Sequence, residues 1–199
     1  MIKEIQAKTL LSHNKHPDPW FRIKYGMNIY RGCEHQCIYC DSRSACYGIE
    51  DFRDVLVKTN AIERLRDELP RKRKKGIVGT GAMSDPYTFA ERTYGLTGQA
   101  MEVLAQHGFP VHIITKSDLV LKDTETLVDI SRERCIVSFT LTTADDELAR
   151  KVEPYAPSPT RRLAAMRALA RRGIETGVTM MPILPFIEDT PDNIASIVE

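Results

Sequence analysis

The chain has 199 residues, 42% of them hydrophobic, enough for one domain to bury a core of its own. A formal charge of +1 gives the whole molecule no bias toward nucleic acid or a membrane surface, and no stretch is long and apolar enough to cross a bilayer. Met1-Ile2-Lys3-Glu4-Ile5 lacks the apolar core of a secretory signal. The five cysteines therefore point to a reducing cytoplasm rather than to a disulfide framework.

Residues 1–23 are polar and punctuated by Pro17-Asp18-Pro19-Trp20, which reads as an N-terminal arm ahead of a domain over 24–199. Tyr25 to Tyr30 reads as a first strand and is followed by a cysteine-rich loop. Ala61 to Leu69 has the charge-rich pattern of an exposed helix. Gly76-Ile77-Val78-Gly79-Thr80 is a compact apolar strand closed by a glycine turn. Thr97 to His107 is helical and stopped by Gly108. Val111-His112-Ile113-Ile114-Thr115 is β-branched and reads as a strand. Thr124 to Ser131 is a helix, Ile136 to Leu141 a strand, Pro159 to Arg172 a long helix stopped by Gly173, and Gly177 to Met181 a last strand.

Strand, loop and helix repeated about five times predict an α/β fold, with a parallel sheet and helices on its outer face. Pattern alone leaves a closed barrel, an open partial barrel and a doubly wound sheet open. Thr190 as cap and Pro191 in the first turn open a final helix that no glycine or strand follows. The last βα unit is thus expected to be truncated.

The most specific feature is Arg31-Gly32-Cys33-Glu34-His35-Gln36-Cys37-Ile38-Tyr39-Cys40, three cysteines spaced C-x3-C-x2-C directly after a strand. Iron–sulfur cubanes are usually held by four thiolates, so three from one loop leave one iron open to a ligand. Half of a structural zinc site is the competing reading, with His35 as a fourth ligand. Zinc sites more often pair two cysteine knuckles, and neither Cys46 nor Cys135 supplies a second one. The cluster reading is favoured.

In parallel βα folds the working face lies at the carboxyl ends of the strands. The second strand ends in Gly79-Thr80-Gly81-Ala82-Met83-Ser84-Asp85-Pro86-Tyr87. Its glycines let backbone approach a ligand, and Ser84 with Asp85 suits the ammonium of a bound amino acid; a plain strand-ending turn is the alternative. The third strand ends in Thr115-Lys116-Ser117, where Lys116 is either a point charge for a carboxylate or a side chain snorkelling at the rim. In the fourth, period two puts Ser138, Thr140 and Thr142 on one face and Phe139 and Leu141 on the other. Ligand binding and a solvated barrel mouth explain those hydroxyls equally well.

The run Arg71-Lys72-Arg73-Lys74-Lys75 reads as a solvated connection before a phosphate-binding patch. Met180, Met181 and Phe186 read as core. His13, His16, His107 and His112 have no ligand spacing. Arg161 and Arg162, opening the long helix, face either Glu153, a substrate or solvent.

The cysteine spacing, with an aromatic residue before the third cysteine, resembles the signature of the radical S-adenosylmethionine (radical SAM) enzymes. The ordered segments Met27-Asn28-Ile29-Tyr30-Arg31-Gly32-Cys33, Ser84-Asp85-Pro86-Tyr87, Thr115-Lys116-Ser117, Ser138-Phe139-Thr140-Leu141-Thr142 and Glu153-Pro154-Tyr155-Ala156-Pro157 narrow the resemblance. From about residue 24 onward they are similar to the spore photoproduct lyase branch, also described as DNA repair photolyase-like. The resemblance implies an open six-stranded (β/α) barrel, whose sixth strand would lie beyond Glu199. It implies a [4Fe-4S] cluster on Cys33, Cys37 and Cys40, which are also the catalytic set, and SAM against Tyr39, Ser84 and Lys116. Asp85, Ser138 and Thr140 complete the cofactor-binding candidates.

The implied chemistry is reductive cleavage of SAM to a 5′-deoxyadenosyl radical that takes hydrogen from a substrate, with a nucleic-acid-like one suggested. A reducing partner such as flavodoxin or ferredoxin would supply the electron. One departure concerns the outcome. The branch has a cysteine as hydrogen donor two residues before the serine, where this chain has Ala82. Cys46 is the better substitute, and Cys135 reads as core. A radical SAM enzyme of a small metabolite or protein, a zinc-binding interaction module and an inactive barrel scaffold are the alternatives.

Overall fold

The computed structural model describes residues 1–44, 48, 51 and 54–198. Its strands, in chain order, are β1 (Ile2–Ile5), β2 (Leu11–His13), β3 (Ile23–Met27), β4 (Tyr30–Arg31), β5 (Val55–Lys58), β6 (Ile77–Thr80), β7 (Val111–Thr115), β8 (Cys135–Thr140) and β9 (Glu175–Thr179). Its helices are α1 (Ala61–Glu68), α2 (Glu91–Tyr94), α3 (Leu96–Gln106), α4 (Thr124–Ile130), α5 (Asp146–Val152), α6 (Pro159–Arg171) and α7 (Pro191–Val198).

The main sheet runs β2-β3-β6-β7-β8-β9. From β3 to β9 every neighbour is parallel, and β2 adds an antiparallel edge. With edges at β2 and β9 the sheet stays open, so the α/β partial barrel stands and a closed one does not. The five parallel strands are those legible in the sequence, within two residues at each end apart from the first.

That first strand divides in two. β3 stops at Met27, and β4 joins a separate sheet, β1-β5-β4, pairing antiparallel with β5. The crossing is held at Asn28 and Ile29, whose carbonyls accept from the Lys58 ammonium (2.6 Å) and the Lys58 N–H (3.1 Å).

Residues 1–23, expected to be irregular, carry β1 and β2. β1 runs parallel to β5, and the Met1 ammonium meets Asp54 at 2.7 Å. Glu68 accepts from the N–H groups of Leu10 (2.7 Å) and Leu11 (3.0 Å), whose side chains are buried.

Period two splits the parallel strands into unlike faces. Outward, Val78, Val111, Ile113, Val137 and Phe139 pack into one core with Leu65, Met101, Leu104, Leu127 and Leu169 from the helices. Inward, the register aligns Gly79 with His112, Ser138 with Gly177, and Thr140 with Thr179. Small and polar groups are thus concentrated on that face, which they share with Ile114 and with the Ile23 side chain packed against Gly79. Cys135 lies in the core, as expected.

The basic run precedes β6, at the amino end of the sheet. Its Lys72 and Lys75 lie over the Tyr25 and Phe109 rings at 5.3 and 6.0 Å. Met181 and Phe186, expected in the core, are exposed, because the chain leaves β9 at Thr179 and turns outward before α7. The final helix begins as predicted, with Thr190 Oγ1 accepting from the Asn193 N–H at 3.2 Å. Among the described residues no helix is long and apolar enough to cross a membrane.

Candidate functional site

The cysteine loop leaves β4 through Gly32 at φ +87° and turns again at Gln36, φ +54°. Two clamps fix it. On one side Glu34 accepts from the Ala90 N–H at 2.7 Å, and its own N–H donates to Thr88 Oγ1 at 3.0 Å. On the other, the Ile38 N–H donates to the Val152 carbonyl (2.9 Å), while the Tyr155 N–H donates to the His35 carbonyl (3.3 Å). The Glu153-Pro154-Tyr155 segment, known from sequence only through the resemblance, is thus a wall of the loop.

Cys33 and Cys37 are buried, Cys40 is partly exposed, and all three are free thiols. Burial pushes the Cys33 thiol up to about 12, with the Asp85 charge adding to the effect. The N–H groups of His35 and Asp85 pull it back only in part. Burial also pushes Cys37 up to about 11, against a lowering by Lys116. Metal-free, both are neutral thiols at pH 7, so ligation must release their protons. Among the described residues no three His, Cys, Asp or Glu side chains converge as ligands of a single metal ion. His35 is buried with its Nδ1 3.5 Å from the Asp85 carboxylate and its ring edge-on to Phe89.

The carboxyl ends of β6 and β7 meet beside this loop. Gly81, at φ +100°, packs so tightly that a Cβ would stand 1.8 Å from the Ile114 carbonyl oxygen. That approach brings Asp85 against the end of β7. Its Oδ1 accepts from Thr115 Oγ1 (2.7 Å) and the Tyr87 N–H (2.9 Å), and its Oδ2 from the Lys116 N–H (2.7 Å). The Asp85 carboxylate is thereby occupied in holding the two strand ends together. Ser84 is its opposite: its hydroxyl is buried and has no hydrogen-bond partner among the described residues.

Lys116 leans over the Tyr39 ring at 5.5 Å and stands 3.8 Å from Glu153. Glu153 is buried and accepts from the Tyr39 hydroxyl on one oxygen and from Arg162 on the other. Burial, and next the Glu153 charge, pushes the Tyr39 phenol above its ordinary range, so it stays a donor. Arg162 is itself buried and donates to the carbonyls of Pro157 (2.7 Å) and Thr140 (2.9 Å).

The hydroxyls of the fourth parallel strand, β8, lie on one face as period two requires. Ser138 Oγ meets His112 Nε2 at 2.8 Å, and Thr140 Oγ1 meets Thr179 Oγ1 at 3.1 Å. His112 in turn lies under Phe21, at 5.0 Å between rings. Beyond the strand end, Glu188 and Thr142 are both buried and stand beside one another. Burial pushes the Glu188 carboxyl up and the Glu153 charge adds to the rise, against a lowering by hydrogen bonds from the Thr142 hydroxyl and the Leu184 backbone and by the Lys116 charge.

The structure therefore gathers Cys33, Cys37, Tyr39, Asp85 and Lys116 into one connected cluster. Ser138 and Thr140 sit lower in the barrel interior, already engaged with neighbours. Cys46, the candidate hydrogen donor, lies outside the described residues. Sequence reasoning missed Glu188 altogether and left Arg162 undecided. Arg162 precedes an apolar helix face three residues after a helix-opening Pro159, and that placement was its only signal.

Comparisons with known proteins agree with this geometry. Residues 27–197 match the family described as the Radical SAM superfamily. An uncharacterised protein of Mycobacterium tuberculosis is 34% identical over 180 residues, covering 86% of this chain and 53% of that protein. The chain thus spans about half the length of the curated relatives it matches. A solved spore photoproduct lyase, complexed with dinucleoside spore photoproduct, superposes with a TM-score of 0.71 at 17% identity, covering 92% of this chain and 52% of that one. A doubly substituted form of that lyase, with AdoMet and the dinucleoside bound, gives 0.68 at 17% identity, covering 92% and 51%. The match over most of its length, on an open sheet whose cysteine loop faces the strand ends, makes this chain a member of the radical SAM superfamily.

Proposed function

We propose that the chain holds a [4Fe-4S] cluster on Cys33, Cys37 and Cys40 and binds SAM between the cysteine loop and the ends of β6 and β7. The observation that carries this reading is the orphaned Ser84 hydroxyl, buried beside a loop of three free thiols and a lysine at the strand ends. A buried hydroxyl without a partner is costly unless a ligand completes it. The donor set fits the group as well: three thiols from one short loop suit a cubane with one open iron.

With the cluster held by these cysteines, the chemistry available would be one-electron reductive cleavage of SAM to methionine and a 5′-deoxyadenosyl radical able to take a hydrogen atom from the substrate. The remaining tasks belong to this chain. Ser84 donates to, or accepts from, the methionyl end of SAM. Lys116 offers a point charge to its carboxylate, aimed by the Asp85 bond to the Lys116 N–H. Tyr39, fixed by its bond to Glu153, walls the adenine end. Ser138 and Thr140 each keep hydrogen-bonding capacity for the ribose, since a hydroxyl offers one donor and two acceptor sites.

A nucleic-acid-like substrate is the reading favoured for the hydrogen donor, supported by the dinucleoside named in the structural neighbour. With Ala82 two residues before Ser84, no thiol at that position returns hydrogen to the product. A flavodoxin or ferredoxin is the proposed reductant.

The test is anaerobic reconstitution with iron and sulfide, then dithionite and SAM, assaying 5′-deoxyadenosine. Formation by the native chain and its loss in Cys37→Ala support the reading. One equivalent of zinc and no iron would replace it with a metal-stabilised binding module. A cluster that never cleaves SAM would leave an inactive scaffold.

A further inference from the structure

Glu153 is a buried carboxylate with two cations on it, at unequal range. Arg162 is hydrogen-bonded to one oxygen, and Lys116 stands 3.8 Å from the other, beyond the reach of a charge-assisted hydrogen bond. Arg162 has no freedom to do otherwise, because the Pro157 and Thr140 carbonyls hold its other two nitrogens. Tyr39 occupies the oxygen that Lys116 would need for a tight pair. The arrangement satisfies Glu153 twice and leaves Lys116 loosely held at the rim, its side chain 15% exposed. Among the described residues, the other carboxyl groups near Lys116, those of Asp85 and Glu188, do not claim it either. Asp85 is taken by backbone and hydroxyl donors, and burial pushes Glu188 up toward its neutral form.

We infer that Arg162 is a positioning residue for cofactor binding: by neutralising Glu153 it keeps the Lys116 ammonium available to the carboxylate of SAM. This rests on the proposal that SAM binds beside Lys116. Glu153 then has the paired role of fixing Tyr39 while its charge is masked. Without Arg162, Glu153 becomes an unpaired buried anion that captures Lys116 and repels an incoming carboxylate. Removing one partner of a buried ion pair is damaging mainly through the charge it strands. It follows that removing the stranded charge as well should repair the site.

The experiment measures the SAM dissociation constant by anaerobic calorimetry, without reductant, on reconstituted protein of matched iron content. The proteins are the native chain, Arg162→Gln, Glu153→Gln, the double variant and Arg162→Lys. Arg162→Gln is expected to weaken SAM by roughly tenfold to a hundredfold. Glu153→Gln removes the charge that Arg162 masks while its amide oxygen can still accept from Tyr39, and it is the reference against which the double variant is read. The double variant should return to within about threefold of Glu153→Gln, the residual expected of imperfect additivity between touching groups.

Arg162→Lys keeps the charge while losing the two carbonyl bonds. It should lower the thermal midpoint yet retain SAM affinity, which separates charge from packing if Arg162→Gln proves too unstable. A double variant as weak as Arg162→Gln, or an Arg162→Lys that loses affinity, would overturn the inference and leave a structural ion pair. A native chain that takes up its cluster and binds no SAM would overturn the proposed function instead.

Discussion

The two faces of the parallel sheet have opposite characters although they alternate along the same strands. On β8 the outward residues Val137 and Phe139 are fully buried in the core shared with the helices, while the inward Ser138 and Thr140 hydrogen-bond His112 and Thr179. On β7 outward Val111 and Ile113 alternate with inward His112. A single two-residue period thus assigns stability to one face and chemistry to the other. The division continues past the strand ends. There Asp85, Glu153 and Arg162 are saturated with partners, whereas the buried Ser84 hydroxyl has none among the described residues. Saturated groups hold the rim in shape; unsatisfied ones are where a ligand can gain.

The strongest way to break this comparison is to empty the outer face. Phe139→Ala should lower unfolding stability by about 3–5 kcal/mol in urea titration, the usual range for a buried aromatic. Ser138→Ala, one residue away on the inner face, loses a hydroxyl bond to His112 and should cost about 1 kcal/mol. Equal effects from the two would mean that the inner face carries the fold as well.

A smaller effect separates the faces by pH. Cys135 on the outer face is pushed up by burial to about 12, as Cys33 is, with Cys37 at about 11, from an ordinary value of 9.0. Folded values above the unfolded one mean stability that is intact below pH 9 and lost as pH rises toward 11 to 12. Each buried thiol should withdraw at most ~1.4 kcal/mol between pH 9 and 10. In metal-free protein all three contribute, and Cys135→Ala should remove one share of the alkaline slope. In reconstituted protein the rim thiols are already deprotonated by ligation, so of the three thiol shares that of Cys135 should remain, beside that of the buried tyrosines, which begins above pH 10. An alkaline slope unchanged by reconstitution would show that Cys33 and Cys37 are not the ligands.

The same contrast explains what could be read from the sequence. The five parallel strands were legible because apolar runs such as Val111–Thr115 are long enough to declare themselves, with Gly108 and Gly173 ending the preceding helices. β1 and β5 were not: Ile2–Ile5 and Val55–Lys58 are four residues each, and their pairing depends on partners about fifty positions away. The split of the first strand was hidden for a related reason, since leaving one sheet for another at Asn28 changes no local pattern.

At the site, the cysteine loop and the positions of Ser84 and Lys116 followed from spacing and strand ends. The difference between Asp85, with its oxygens occupied, and adjacent Ser84, with none, belongs to tertiary structure. The pairing of Arg162 with Glu153, nine residues apart across the turn into α6, is one of the readings that the sequence leaves open, and tertiary structure selects it. The burial of Glu188 leaves no mark in sequence at all, because what buries it comes from elements distant along the chain.

The smallest effect on the fold should accompany a clear effect on binding, and Ser84 is the place to find it. Its hydroxyl is buried and unpartnered, so the metal-free protein bears a desolvation penalty with no hydrogen bond to offset it. Ser84→Ala removes that group while nearly preserving shape, and unfolding stability should change by less than about 0.5 kcal/mol or rise slightly. If the hydroxyl is completed by SAM, the same substitution should weaken SAM binding by roughly tenfold, the value of one buried hydrogen bond at about 1.4 kcal/mol. Calorimetry on the reconstituted variant beside its urea titration reads both quantities. Unchanged binding with unchanged stability would make Ser84 a tolerated flaw in the rim, whereas a stability loss of about 1 kcal/mol or more would mean that the hydroxyl already serves the fold.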